Sequence, residues 1–502
     1  MQRLAITLST LALIFVMLVN VALFYQNIQL RNRAGGPAPL PTQAAPSADQ
    51  ASKIAELEQQ LKHAEQDRVK ATRDATNARG QFDQLQAAAQ ERDTLKTKVQ
   101  TLEQENSQLH TQVGNLQTMN TINGQVAPLR GLAPLSQVPR TFMNHDQLRA
   151  YFTDMLAREW PPEEEQRQAA ILRALDMGSA TTNLRESEID SMVKGILGFY
   201  DQQSKQLVIV TDRAQIGVRD RVTYAHEFTH SLQDQYYDLT ALFDRAKGNA
   251  DYAMALRALV EGDATLTMGL YARKNLTAMD MANYRLEEFQ SIDLSSLTYG
   301  DGGPLVESAT YFPYRDGTEF VSMLYQAGGW NAVNAAFKQP PRSSEQILHP
   351  ERYYAGDMPI AVTLPDLRID GWHVVAEDTL GELYLRIYLE RFISMDEAIY
   401  ACGDWGGDRY QVLGDDHGRL ALALQTAWDN PDAAQGFFEA MTWFVAGVSG
   451  GSPAALQSDG AHMRWQLADR QFYLSRAGNR VLVLHAPDAA TLDALIARFG
   501  QS

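Results

Sequence analysis

Cysteine is almost absent from this chain of 502 residues, in which Cys402 stands alone. A single cysteine cannot form an intramolecular disulfide, and it cannot build a zinc site from several thiolates. Any tightly bound metal ion would therefore need histidine and carboxylate ligands. No histidine close to Cys402 in the sequence is placed to activate its thiol, so we expect a small buried residue there and not a catalytic one.

Positive charge is also scarce, because 44 Lys and Arg residues stand against 61 Asp and Glu residues, for a formal net charge of -17. Nucleic-acid surfaces need clustered Lys and Arg, so we predict no nucleic-acid partner. The Gly-rich stretch from Ala401 to Leu413 has neither the GxGxxG nor the GxxxxGK[ST] arrangement that holds phosphates. The apolar share of 45% is nevertheless that of a folded protein.

The one long uncharged run is at the start of the chain, from Leu4 to Phe24. About 20 such residues span the hydrocarbon layer of a bilayer as a helix. The run lacks a convincing small-residue cleavage site, which favours an uncleaved anchor over a cleaved signal peptide. We therefore predict a single-pass signal anchor in residues 1–30 of a cell-membrane protein. The flanking basic residues nearly balance, and the long trailing part favours an extracytoplasmic catalytic domain.

Proline and long apolar runs are missing from Ala51 to Met119. We predict a flexible linker over residues 31–50, which is rich in Pro, Ala and Gly, and a coiled coil over residues 51–122. One apolar seam with alternating spacings of four and three is formed by Leu95, Val99, Leu102, Asn106, Leu109, Val113 and Leu116. Asn106 at a core position suits a parallel homodimer. A lone charged helix is the alternative, because Arg68 and Arg92 weaken the seam.

Aromatic residues, Gly and Pro become frequent from about Pro128. We predict an α+β fold, with a mainly helical domain over residues 128–450 and a small β-sheet and helix subdomain over residues 451–502. Periodic patterns predict a helix within Asp370 to Phe392 and another over Thr426 to Val445. The stretch Gly195 to Val210 predicts two strands around a polar turn.

The next stretch carries the motif that bears on chemistry, His226-Glu227-Phe228-Thr229-His230. Residues four apart lie on one face of a helix, so His226 and His230 can present two imidazoles to a single ion. Zn²⁺ suits such ligands, and Glu227 lies beside them as a general base for water that the ion activates. A pair of ordinary core histidines is the less economical explanation of this spacing.

A catalytic zinc site needs a third protein ligand. A third histidine six residues after His230 is missing, because Tyr236 stands there, and no GTxxxD sequence is present. The remaining candidate is Glu261, which lies on the mostly apolar helical pattern from Met254 to Lys274 and would be costly to bury without a partner. Asp263 is the second choice for this ligand, and it is otherwise a candidate for a supporting role behind the ligands.

At these residues the chain resembles the gluzincins, a clan of HExxH zinc metallopeptidases in which a Glu on a second helix completes the zinc site. The resemblance covers about Leu197 to Lys274 and implies a zincin-like fold. It also implies that His226, His230 and Glu261 are the ligands and Glu227 the base. Thermolysin-like members carry Asn before the ligand Glu, where this chain has Val260. The stretches HEFTHSLQDQ, LVEGDATL, FPYRDGTEFV and SSEQILHPERYY resemble an uncharacterised family of bacterial, membrane-anchored HExxH proteins.

Several further residues are candidates for supporting roles. Asp234, four residues after His230, could orient an imidazole, or it could be an ordinary surface residue. His349, Tyr311 and Tyr314 are candidate donors to the developing oxyanion. The structural reading of each one is favoured over this role, because Pro-flanked aromatic loops commonly pack against a core.

The sequence thus predicts a membrane-anchored zinc metallopeptidase that acts on proteins or peptides. A hydrolase of amides or esters that are not peptides is an alternative, since activated water attacks any polarised carbonyl. A coiled-coil envelope scaffold with a catalytically silent metal-binding domain is the alternative from another class.

Overall fold

The computed structural model describes residues 47–177, 184–196, 198–210, 216–291 and 303–500. The helices are α1 (Ala48–Arg130), α2 (His145–Glu159), α3 (Pro162–Ala174), α4 (Leu184–Gly195), α5 (Val218–Tyr237), α6 (Leu239–Asp244), α7 (Ala250–Asn275), α8 (Ala278–Ser291), α9 (Gly303–Lys338), α10 (Ser344–Leu348), α11 (Pro350–Ala355), α12 (Gly381–Glu390), α13 (Met395–Cys402), α14 (Pro431–Val448) and α15 (Ala489–Phe499). The strands are β1 (Arg140–Met143), β2 (Gly198–Asp201), β3 (Gln206–Val210), β4 (Trp372–Asp378), β5 (Trp405–Asp415), β6 (Leu420–Trp428), β7 (Ala455–Ser458), β8 (His462–Gln466), β9 (Gln471–Ala477) and β10 (Arg480–Ala486). This mixture of helices and sheets confirms the α+β class.

The chain divides into two compact units, Met1–Leu102 and Glu103–Ser502. In the first unit the described residues form the long amino-terminal part of α1, whose apolar side chains are exposed. The predicted anchor in residues 1–30 and most of the predicted linker over 31–50 lie outside the described residues. Within the part of the chain that the structure describes, no helix is both long enough and apolar enough to cross a membrane.

The last turns of α1 belong to the core of the second unit. Met119, Ile122 and Val126 are almost fully buried, and they cluster with apolar residues of α5 such as Phe228 and Leu232. Packing against this core begins before residue 122, where the predicted coiled coil ends, and α1 continues to Arg130. The folded domain begins before residue 128.

A three-stranded sheet of order β1-β3-β2 lies beside α5. β1 runs parallel to β3, and β2 pairs with β3 in the antiparallel sense through the predicted polar turn. The prediction of two strands between Gly195 and Val210 is thus confirmed. β2 is an edge strand of this sheet, so its second side is free to approach the helix that carries the HEFTH motif.

Helices α7 and α9 approach each other unusually closely. A Cβ atom built on Gly262 would lie 2.1 Å from the backbone oxygen of Gly317, and one built on Gly317 would lie 2.2 Å from the backbone oxygen of Ala258. Only hydrogen fits at both positions, because real Cβ contacts are never this short. These two glycines therefore set the distance between the helix that carries Glu261 and the helix that carries Tyr314.

The carboxyl-terminal part forms one antiparallel sheet of seven strands, in the order β4-β5-β6-β10-β9-β8-β7. This sheet has strands on both sides of the predicted boundary at residue 450, because β10 pairs with β6. The helix predicted within Asp370 to Phe392 is confirmed as α12, which follows β4 in that range. The helix predicted over Thr426 to Val445 begins later than expected, because Thr426 lies in β6 and α14 begins only at Pro431.

Candidate metal centre

Two neighbouring helices bring three candidate ligands together. α5 presents His226 and His230 on one face, and Nε2 of the two rings are 3.0 Å apart. Glu261 extends from α7, and its Oε2 lies 3.1 Å from Nε2 of His226 and 3.3 Å from Nε2 of His230. The structure therefore joins the three residues that the sequence singled out, although they are separated by up to 35 positions.

The separations of these donor atoms fit one zinc ion. Bonds of about 2.0–2.1 Å from Zn²⁺ to its ligands place the corners of a tetrahedron about 3.3–3.4 Å apart. The observed separations of 3.0 to 3.3 Å are close to that value. Three electron-rich atoms facing one point repel each other unless a proton or a cation lies between them. The donor set of two imidazoles and one carboxylate is one that zinc accepts, and it leaves a coordination position for water.

The charges of the three groups depend strongly on each other. Although burial alone would lower the pKa of His230, the nearby Glu261 carboxylate raises it to about 9. Burial would likewise raise the pKa of Glu261, but the two imidazoles hold it well below its usual range. A metal ion would therefore have to compete with a proton for His230.

Glu227 is held in place from the edge of the small sheet. Its Oε2 accepts a hydrogen bond of 2.9 Å from the backbone N–H of Tyr200 in β2. Burial raises the pKa of Glu227, and the neighbouring imidazoles oppose this shift. The carboxylate is thus a better proton acceptor than an exposed glutamate, and one hydrogen bond fixes its direction.

Gln233 contacts the candidate ligand His230, in the place that the sequence analysis considered for Asp234. Oε1 of Gln233 lies 2.8 Å from Nδ1 of His230. Asp234 instead accepts hydrogen bonds from the hydroxyl of Tyr200 and from Nζ of Lys205. These partners turn the carboxylate of Asp234 toward the small sheet and not toward an imidazole.

Asp263 lies behind the candidate ligands and is connected to His230 through Gln233. Its Oδ2 accepts a hydrogen bond from Nε2 of Gln233, and its Oδ1 pairs with Nε of Arg130 at 2.6 Å. Both side chains of this ion pair are completely buried. Asp263 thus supports the centre through Gln233, in the supporting role that was the second suggestion for it.

Of the two tyrosines suggested as oxyanion donors, Tyr314 lies at the centre. Its ring centroid is 6.2 Å from that of His226. Burial raises the pKa of Tyr314, the charges of Glu261 and Glu227 raise it further, and Arg257 lowers it. Tyr311 lies one turn earlier on α9 with 58% of its surface exposed.

Residues 369–496 match the model of a family described as a domain of unknown function, DUF8575. No curated protein and no solved structure matches the chain. The matched segment contains the seven-stranded sheet but none of the three candidate ligands. Its beginning at residue 369 agrees with the sheet topology and not with the boundary that the sequence predicted at residue 450.

His349 has its partners in this matched segment. Its Nε2 lies 3.0 Å from Oε1 of Glu382 and 3.3 Å from a guanidinium nitrogen of Arg386, both on α12. The buried carboxylate of Glu382 is paired with Arg386 as well. The structure therefore gives His349 a packing role between α12 and the segment before α11, and it does not support the prediction of an oxyanion donor.

Proposed function

We propose that the chain is a zinc-dependent metallohydrolase of zincin-like fold, and specifically a peptidase. The observation that carries this proposal is the convergence of His226, His230 and Glu261 from two helices, with Glu227 held beside them by a hydrogen bond. The same four residues are the ones that the resemblance to gluzincins implies. A structural zinc site has no use for a buried base next to its ligands, so the presence of Glu227 favours catalysis.

Zn²⁺ held by the three ligands would supply a Lewis acid that polarises a carbonyl and lowers the pKa of water. Glu227 would then accept the proton of the attacking water, and its hydrogen bond from Tyr200 keeps the carboxylate aimed at that position. Tyr314 would donate its hydroxyl proton as a hydrogen bond to the oxyanion that develops on the substrate. Its partial exposure of 44% leaves it accessible to a bound peptide.

The site would act at a membrane in this proposal. The uncharged run from Leu4 to Phe24 is the support for a single-pass anchor, and the long domain that follows it would lie on the extracytoplasmic side. Labelling of the full-length protein in intact cells with a membrane-impermeant reagent tests on which side of the membrane the domain lies. Protection of the catalytic domain from the reagent would contradict the extracytoplasmic placement.

Replacing Tyr314 with Phe removes one donor to the oxyanion while the ring remains. We expect kcat for peptide cleavage to fall about 100- to 1,000-fold, because such donors act mainly on the transition state. KM should change much less. Tyr311→Phe is the matched control, since this tyrosine lies one turn away on the same helix and should leave kcat unchanged. Equal kcat values for Tyr314→Phe and the wild type would remove Tyr314 from the mechanism.

A cleavage assay on the purified full-length chain tests the function itself. A peptide library should be cut, a chelator should stop the reaction, and Zn²⁺ should restore it. Parallel panels of esters and of amides that are not peptides distinguish the alternative hydrolases, which would turn over those substrates and leave the library intact. A catalytically silent scaffold would bind zinc and cleave nothing in any panel.

A further inference from the structure

A buried chain of contacts runs from the ligand His230 to the last residue of α1. Oε1 of Gln233 lies 2.8 Å from Nδ1 of His230, and Nε2 of Gln233 donates to Oδ2 of Asp263 at 2.8 Å. Oδ1 of Asp263 lies 2.6 Å from Nε of Arg130. Gln233, Asp263 and Arg130 are all completely buried, so no solvent competes with these contacts.

The other hydrogen bonds of Gln233 determine which atom of its amide faces His230. Nε2 of Gln233 donates both to Asp263 and to the backbone oxygen of Val260, so the amide oxygen is the atom that faces His230. An amide oxygen only accepts, and Nδ1 of His230 must therefore carry the proton. When this imidazole is neutral, its lone pair is therefore on Nε2, which is the atom that points at Glu261 and His226.

Arg130 is also held by two residues of α9. Its guanidinium donates to Oδ1 of Asn334 at 2.9 Å and lies 4.4 Å from the ring centroid of Trp330, both on α9. A buried carboxylate such as Asp263 needs this neighbouring positive charge, and each partner would be costly without the other. The last turn of α1 is thus tied by charge to the helix that contributes Glu261.

We propose that Gln233, Asp263 and Arg130 are positioning residues for the ligand His230, so that metal affinity depends on the docking of the last turn of α1. This inference rests on the proposed zinc site. Partners that hold a ligand imidazole from behind commonly contribute about 10- to 100-fold to metal affinity. Neither Gln233 nor Arg130 would touch the ion or the substrate.

Zinc affinity of the full-length chain, measured by competition with a chelator, tests the proposal. Gln233→Met should weaken binding about 10- to 100-fold and shift the visible spectrum of the Co²⁺-loaded protein. Gln233→Glu keeps an acceptor for Nδ1 but puts a second carboxylate against Asp263 in place of the amide donor, so it should restore binding only together with Asp263→Asn, which returns a donor to this contact. Gln235→Met is the control, because Gln235 bonds to the backbone N–H of Leu135 and not to an imidazole.

Wild-type affinity and an unchanged spectrum in Gln233→Met would overturn the proposal. If this variant does not fold, the double variant Arg130→Met/Asp263→Asn tests the proposal instead. It removes both charges of the buried ion pair together, so that no unpaired charge is left, and it keeps Gln233. It should also bind zinc more weakly, and wild-type affinity there would overturn the proposal as well. A wild-type chain that binds no zinc would instead reject the proposed metal site itself.

A different observation concerns the exposed seam of α1. Val99, Leu102 and Leu109 have 51%, 53% and 59% of their surface exposed. On either side of the seam, charges of opposite sign recur at a spacing of five residues: Glu91 with Lys96, and Lys98 with Glu103. In a parallel pair of helices in register, these positions face each other across the seam. Every such pair would be attractive between two copies of this chain.

We infer that α1 pairs with α1 of a second copy in the parallel orientation and in register, with Asn106 facing Asn106. Cross-linking of the full-length chain tests this pairing, because Cys402 is completely buried and contributes no background. Val99→Cys should form a covalent dimer under mild oxidation, since it lies on the seam. Thr101→Cys lies outside the seam and should not.

Charge exchange tests the register independently. Lys98→Glu should reduce the cross-linking of Val99→Cys, because the new carboxylate would face Glu103 of the other copy on both sides of the seam. Adding Glu103→Lys should restore the dimer because opposite charges face each other again. No cross-link at position 99, or equal cross-linking at positions 99 and 101, would overturn the parallel dimer.

Discussion

Glu227→Gln should abolish peptide hydrolysis and leave zinc bound. The amide keeps nearly the volume of the carboxylate and can still accept the hydrogen bond of 2.9 Å from Tyr200, so the site should keep its shape. It cannot accept the proton of water, and loss of a general base commonly costs about 100- to 10,000-fold in rate. The measurement is kcat for a cleaved peptide together with the zinc content of the purified variant.

The control for this variant is Glu351→Gln, which exchanges the same groups at a carboxylate that is 73% exposed. It should hydrolyse the peptide at the wild-type rate. Activity of Glu227→Gln within a few-fold of the wild type would show that another group accepts the proton. Loss of zinc from the variant would show that Glu227 is needed to build the centre and not only to act in it.

Gly262→Ala should destabilise the domain and disturb the centre at the same time. The added Cβ would meet the backbone oxygen of Gly317 at 2.1 Å, so α7 and α9 would have to move apart. Overpacking of this kind commonly costs about 1–3 kcal/mol of the free energy of unfolding. Glu261 precedes Gly262 in the sequence, and Tyr314 is three residues before Gly317, so their distance should grow. Chemical denaturation and kcat measure the two effects.

Gly269→Ala is a stringent control because it makes the same substitution on the same helix. No atom outside the helix lies within 4 Å of a Cβ built on Gly269. Alanine is favoured over glycine in a helix by up to about 1 kcal/mol, so this variant should be as stable as the wild type or more stable. If the two alanine variants had equal stability, the close approach of α7 and α9 would not limit the fold.

The part of the candidate site that comes from residues close together in the sequence could be predicted from their spacing. His226 and His230 are one turn apart, and an acidic residue on an apolar helical pattern identified Glu261. Spacing alone could not choose between Gln233 and Asp234, because both lie about one turn beyond His230. The choice depends on two contacts between residues that are distant in the sequence. Lys205, 29 positions from Asp234, donates to the Asp234 carboxylate. Asp263, 30 positions from Gln233, accepts a hydrogen bond from the Gln233 amide.

The sheet was less predictable than the helices, and β6 shows the reason. Its sequence LALALQTAW is buried along almost its whole length, so the alternation of apolar and polar residues that marks a strand with one exposed face is weak. The range predicted as a helix therefore began inside this strand. The pairing of β6 with β10, which joins residues about 55 positions apart, could not be read from either segment alone.

The most direct test of the account is the zinc content and X-ray absorption spectrum of the purified full-length chain. The account predicts one zinc ion per chain, with two imidazole nitrogens and oxygen ligands at about 2.0–2.2 Å. His230→Ala should lose the ion. Absence of a tightly bound divalent metal, or a spectrum without imidazole ligands, would contradict the metal centre on which every proposed activity depends.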